Sequence, residues 1–145
     1  MEKRVEERSI REVMTPTPVT VTPMTSLAEL QDIFERHDYN ALPVVDDQGL
    51  LTGMVTKLDL LAAFRPNRRR LTPGLETSPA ERVEHIMRRG LVTVGPDDPV
   101  VKAVDLMVEQ GLNSLPVVVR DETGPTLVGI VSRKDVLRCL TIEGP

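Results

Sequence analysis

The sequence is poor in several things at once. Aromatic residues make up 2% of its 145 residues and tryptophan is absent, so the core must be built from Val, Leu, Ile, Ala and Met. Such a core suits short buried strands packed on helices. A single cysteine, Cys139, excludes an intrachain disulfide and points to a reducing compartment. No apolar run approaches the roughly 18 residues of a membrane span. The opening Met1-Glu2-Lys3-Arg4-Val5-Glu6-Glu7 lacks the apolar stretch of a secretion signal. An excess of positive charge is missing too: the balance is −4, so no global field draws the chain onto nucleic acid or an anionic membrane. These absences predict a cytoplasmic protein. His37, His85 and Cys139 show no paired spacing, so no metal site is expected. No nucleophile lies near a base with an orienting partner, so no residue receives a catalytic role and the chain reads as a non-enzyme.

What is present is a duplication. Val13-Met14 and Ile86-Met87 open two parallel passages. At a constant offset, Val19-Thr20-Val21 falls on Val92-Thr93-Val94, Pro23 on Pro96, Asp32 on Asp105 and Asn40 on Asn113. Leu42-Pro43-Val44-Val45 falls on Leu115-Pro116-Val117-Val118. After a longer turn in the second copy, Gly53, Val55, Asp59 and Leu61 match Gly129, Val131, Asp135 and Leu137.

Each copy reads as β-α-β-β-α. Val19 to Val21 is a short strand closed by Pro23. Ser26 caps a helix carrying Leu27, Leu30, Ile33 and Phe34 at helical spacing, with Glu29 completing a capping-box pattern. In the second copy Asp98 is expected to cap and Pro99 to take the first helical position. A hairpin, Ala41–Val45 with Leu50–Thr56, is repeated as Ser114–Arg120 with Thr126–Ser132. Helices follow from Lys57 to about Phe64 and from Arg133 to about Leu140. Neither copy buries its apolar face well alone, so the fold class is α/β (α+β), two repeats in one domain. That domain spans 1–145, with repeat one at about 10–64, a Pro-containing linker at about 65–80 and repeat two at about 83–140.

The informative element is the junction between third strand and last helix. It reads Gly53-Met54-Val55-Thr56-Lys57-Leu58-Asp59 and, again, Gly129-Ile130-Val131-Ser132-Arg133-Lys134-Asp135. Glycine removes a side chain where another group must come close. A hydroxyl residue stands at the helix start, where free N–H groups favour an anion. A basic residue follows, and an aspartate one turn on has two oxygens to accept from a vicinal diol. Together these suit a ribonucleotide. The same residues also fit a capping box, the aspartate reaching back to its own helix start; the two roles are compatible.

The passages Val13-Met14-Thr15-Pro16, Ala41-Leu42-Pro43-Val44-Val45 and Gly53…Thr56…Asp59, all echoed downstream, resemble a tandem pair of CBS domains. That family is named for the regulatory region of cystathionine β-synthase, and the resemblance covers about Ile10 to Leu140. It implies two repeats packed by their sheets about a pseudo-twofold axis, leaving two clefts for adenosine compounds such as AMP, ADP, ATP or S-adenosylmethionine. One cleft would combine Thr17, Pro18, Val19, Tyr39, Asn40 and Ala41 with Ser132, Arg133 and Asp135. The other would combine Gly90, Leu91, Val92, Leu112, Asn113 and Ser114 with Thr56, Lys57 and Asp59. Adenine would lie in the apolar gap, the aspartate on the ribose, and Thr or Ser with Lys or Arg on phosphate. Copy two departs from the pattern with Met87-Arg88-Arg89 where copy one has Met14-Thr15-Pro16, so the clefts are not equivalent; Arg88 or Arg89 would suit a longer polyphosphate or simply form a solvated pair.

The resemblance further implies a homodimer packed through helices and a protein target on a separate chain, with no cofactor required. Two other readings stand beside it. One is a purely structural or interaction module with empty clefts. The other, a nucleic-acid binder using Arg68-Arg69-Arg70, is disfavoured by the acidic surroundings.

Overall fold

The computed structural model describes residues 7–65 and 80–140; the run Arg68-Arg69-Arg70 lies outside them. The elements are α1 (Ile10–Val13), β1 (Thr15–Pro16), α2 (Leu27–Arg36), β2 (Ala41–Val45), β3 (Leu51–Thr56) and α3 (Lys57–Ala63). After a 3-10 turn at Val83–His85 come α4 (Val100–Gln110), β4 (Ser114–Asp121), β5 (Gly124–Ser132) and α5 (Arg133–Cys139). Both copies therefore carry the expected helix, hairpin and helix. The first hairpin turns on Asp46, whose carboxylate accepts from the Gln48 and Leu50 N–H groups at 2.9 Å, with Gly49 at φ 82°. In the second, β4 and β5 run on beyond the expected ends to Asp121 and Gly124.

The expected first strands shrink to single bridges. Val21 pairs in parallel with Val44, and Val94 with Val117. The Val21 N–H donates to the Pro43 carbonyl at 3.1 Å and the Val45 N–H to the Val21 carbonyl at 2.9 Å; Val94 repeats both bonds with Pro116 and Val118. Extending either ladder to Val19 or Val92 would require an N–H from Pro43 or Pro116. Proline has none, and the pairing stops there.

Asp98 does not cap its helix. Its carboxylate accepts from the Gly95 N–H at 2.7 Å and from Lys102 Nζ at 3.1 Å, and Pro99 is the N-cap, with no side-chain cap bond. The first N–H of α4, on Val100, donates instead to the Arg8 carbonyl at 2.9 Å, so a chain segment from the other repeat satisfies a helix end that would otherwise stay open. The first repeat does the same at Leu27, which donates to the Glu81 carbonyl at 3.1 Å.

These bonds belong to a reciprocal exchange. The segment around α1 lies on the second repeat: Ile10 donates to the Asp98 carbonyl at 2.9 Å and Arg11 to the Pro96 carbonyl at 2.8 Å. Its counterpart around Val83 lies on the first: Val83 donates to Thr25 and Glu84 to Pro23, each at 2.9 Å. The strand ends exchange as well. β1 adds antiparallel to β5, pairing Thr15 with Ile130, while Arg88 bridges to Met54 in β3.

Two apolar cores result. One joins Ile10 to Val94, Val100, Ala103, Met107, Leu115, Val117, Val131 and Val136, with Val13 and Met14 packed against it. The other joins Val83 to Val21, Leu27, Leu30, Phe34, Leu42, Val44, Val55 and Leu60, with Ile86 and Met87 alongside. Ile10 and Val83 are both fully buried. Each core is therefore closed by an arm of the opposite repeat.

The exchange also explains the paired glycines. A Cβ on Gly53 would stand 2.9 Å from the Arg88 carbonyl oxygen, and one on Gly129 would stand 3.0 Å from that of Thr15 and 2.6 Å from Met14 Sδ. The group that must come close is the crossing arm.

Candidate functional site

A cleft of about 460 Å³ opens between the two repeats, inside the range of small-molecule sites. All nine residues expected for the first cleft line it: Thr17, Pro18, Val19, Tyr39, Asn40 and Ala41 from one repeat, and Ser132, Arg133 and Asp135 from the other. Crossing of β1 onto β5 brings these distant segments together. Pro18, Val19, Ala41, Leu42, Pro43, Ile130 and Leu137 supply apolar wall. Thr17 enters at φ 48°, left-handed backbone that a β-branched residue adopts only where its surroundings impose it. Tyr39 stacks on His37 with ring centroids 5.2 Å apart.

The polar end is the start of α5. The Ser132 N–H and hydroxyl both donate to Asp135 Oδ2 at 2.9 Å, and the Asp135 N–H returns to Ser132 Oγ at 3.2 Å. The capping box is thus formed. It occupies Oδ2; among the described residues no hydrogen bond or ion pair engages Asp135 Oδ1. Arg133 lines the cleft and is held in place by its Nε, which donates to the Leu112 carbonyl at 2.9 Å. Lys134 Nζ lies 3.7 Å from Asp38 Oδ2 at the exposed rim.

The residues expected for the second cleft are placed differently. Asn113 and Ser114 also line the first cleft, because Ser114 is the register partner of Ser132. Gly90, Leu91, Val92, Leu112, Thr56, Lys57 and Asp59 lie outside it. Around α3 the same capping box is formed: the Thr56 N–H donates to Asp59 Oδ2 at 2.9 Å, and the Asp59 N–H to Thr56 Oγ1 at 3.0 Å. Here the second carboxylate oxygen is engaged, since Arg88 Nε donates to Asp59 Oδ1 at 3.1 Å. The arginine expected to reach a polyphosphate pairs with the aspartate expected to read a sugar.

Seven further residues line the first cleft without having been expected there: Thr15, Asp38, Leu42, Pro43, Ile130, Lys134 and Leu137. Ile130 was legible in principle, two positions before Ser132 on the same strand face. Thr15 was not, because it arrives through cross-repeat pairing. His85 serves as a local cap, its Nδ1 accepting from the Glu81 and Arg82 N–H groups at 3.2 and 3.1 Å. Cys139 is half-buried and packs on the core that contains Ile10 and Val136. Among the described residues no helix is long and apolar enough to cross a membrane.

Comparison with known proteins places this geometry. A family model described as CBS domain matches residues 10–66 and 83–142. The crystal structure of CBSX2 in complex with AMP superposes with a TM-score of 0.75 at 29% identity, covering 90% of this chain and 93% of that one. The CBS domain pair of protein MJ0100, in complex with 5′-methylthioadenosine and S-adenosylmethionine, gives a TM-score of 0.74 at 28% identity, covering 90% and 94%. The L-aspartate semialdehyde sulfurtransferase of Methanocaldococcus jannaschii is 28% identical over 129 residues, 89% of this chain. The chain spans 22% of that protein's length, and 32% and 24% of two other curated relatives.

Proposed function

The chain belongs to the CBS-domain family, and from that premise we propose that it is a non-catalytic regulatory module that binds an adenosine-type ligand between its repeats and alters its association with a partner protein. The observation that carries this reading is the cleft itself. An apolar gap ends on a carboxylate oxygen left open by its own capping box, with Arg133 beside it. Adenine fills the gap, Asp135 Oδ1 accepts from a ribose hydroxyl, and Arg133 with Ser132 meets the phosphate or, in S-adenosylmethionine, the amino-acid carboxylate.

The two related domain pairs of known structure hold AMP and S-adenosylmethionine, which makes these the first ligands to try. Isothermal titration with AMP, ADP, ATP and S-adenosylmethionine tests the reading. We expect saturable binding of at least one, weakened tenfold or more by Asp135→Asn. Absence of heat with all four, together with no thermal shift, contradicts it; a ligand at 100 times its Kd stabilises by about 2.7 kcal/mol.

The module works as a pair of chains in this proposal. Leu61 and Phe64 on and beside α3, and Leu137 and Leu140 on and beside α5, are exposed at matching positions of the two repeats, and a second copy would cover them. Light scattering on the wild type and on Leu61→Asp checks the dimer, which the variant should dissociate.

A further inference from the structure

The second junction carries a built-in occupant. We infer that Arg88 fills the ligand's place at Asp59, so that the chain takes one adenosine ligand rather than two; this rests on the function proposed above.

The argument begins with the backbone. Arg88 exchanges both of its hydrogen bonds with Met54, donating at 2.8 Å and accepting at 3.0 Å, and its carbonyl lies against the bare Cα of Gly53. The arm is therefore fixed on β3, and the arginine stem starts from a set position within reach of α3. Its Nε meets Asp59 Oδ1 at 3.1 Å while the side chain of Asp59 is only 10% exposed. Since Oδ2 is committed to the Thr56 N–H, both oxygens of this carboxylate are spoken for. A ribose would have to evict a cation from a nearly buried anion before it could donate, and would leave that anion without its counter-charge.

The matching arm position in the other repeat is Thr15, which pairs with Ile130 as Arg88 pairs with Met54. Threonine is short and uncharged. It lines the first cleft without engaging Asp135, and the cleft stays open. One residue on the crossing arm thus decides whether a junction receives a ligand, and the two repeats have opposite choices.

Titration of AMP into the full chain reads this as a stoichiometry. The wild type should bind one equivalent, with any second site at least tenfold weaker. Arg88→Thr, which installs the residue of the matching arm position, should bind two equivalents with affinities within about tenfold of each other. Asp135→Asn should lose the single site, and Arg88→Thr combined with Asp135→Asn should regain one. Arg88→Gln serves as a second variant, and circular dichroism melts check that each is folded. Two comparable equivalents in the wild type, or one equivalent in both folded Arg88 variants, overturn the inference while leaving adenosine binding intact. No AMP binding by the wild type or any variant overturns the functional reading, and this inference with it.

Discussion

At the two places where a third strand hands over to a last helix, the same cap has been kept and its surroundings have diverged. Thr56 with Asp59 and Ser132 with Asp135 close the same box, with N–H to carboxylate distances of 2.9 Å in both. What differs is the arm that crosses from the opposite repeat: it brings Arg88 to Asp59 and Thr15 to the neighbourhood of Asp135. A cap is a local device that any helix start tolerates. The arm is a long-range device, and changing one residue on it changes one junction without touching the other's scaffold. In a duplicated fold with exchanged arms, the chemistry of each half is set partly by the sequence of its twin.

The largest expected effects come from breaking the exchange. Ile10→Ala should cost about 2–5 kcal/mol, as for a large core residue cut to alanine, and Val83→Ala less, because a smaller side chain is removed. Urea unfolding followed by circular dichroism checks both, with a single shared transition expected because each core is closed by the other repeat's arm. Two separated transitions would mean that the halves fold independently. Next come Gly53→Ala and Gly129→Ala, expected to cost about 1–3 kcal/mol through overpacking against a fixed backbone. Their melting temperatures should fall together, since the added Cβ meets an arm carbonyl in both.

The aspartates should then separate. Asp59→Asn loses an ion pair as well as part of a cap, so it should destabilise the chain by about 1 kcal/mol and more than Asp135→Asn does. Asp135→Asn should act mainly on ligand affinity. Thermal melts and titrations on the two variants side by side would reveal an equal pattern if the junctions were in fact equivalent.

The smallest effect distinguishes the turns before α2 and α4. Asp98 is held below the usual carboxylate range by the Gly95 N–H and by Lys102, whereas its counterpart Thr25 closes the same turn with a neutral hydroxyl, accepting from the Thr22 N–H at 3.0 Å. A carboxylate with a depressed folded pKa contributes stability that is complete above its unfolded pKa and is lost as the pH falls through the folded one. Melting temperatures of the wild type and Asp98→Asn should therefore differ at neutral pH and converge in acid. Thr25→Ser, by contrast, should show a difference from wild type that does not depend on pH.

Much of the architecture was legible because duplication prints the pattern twice. The Leu-Pro-Val-Val strands, their hairpins and the capping boxes all rest on neighbours within a few positions, and local spacing encodes these well. The three features that were not legible each depend on distance or on a missing atom. The first strands stop at Val21 and Val94 because Pro43 and Pro116 lack an N–H, a constraint imposed by the partner strand. Asp98 leaves the cap to Pro99 because a carbonyl from Arg8 satisfies the helix end. The arms cross between repeats, so the group that comes close to the paired glycines is the opposite repeat's arm, and Asn113 and Ser114 reach the first cleft. Of the proposed contacts, the nine residues around Asp135 do share one cavity, while the set around Asp59 meets an arginine that periodicity has no means to place.

The most direct test is a crystal structure grown with excess AMP. The account predicts density for one nucleotide per chain, its ribose within hydrogen-bond distance of Asp135 Oδ1 and its base between Val19 and Ala41, with Arg88 still on Asp59. A cleft filled by the protein's own side chains, or a nucleotide seated on Asp59 with Arg88 turned away, would contradict it.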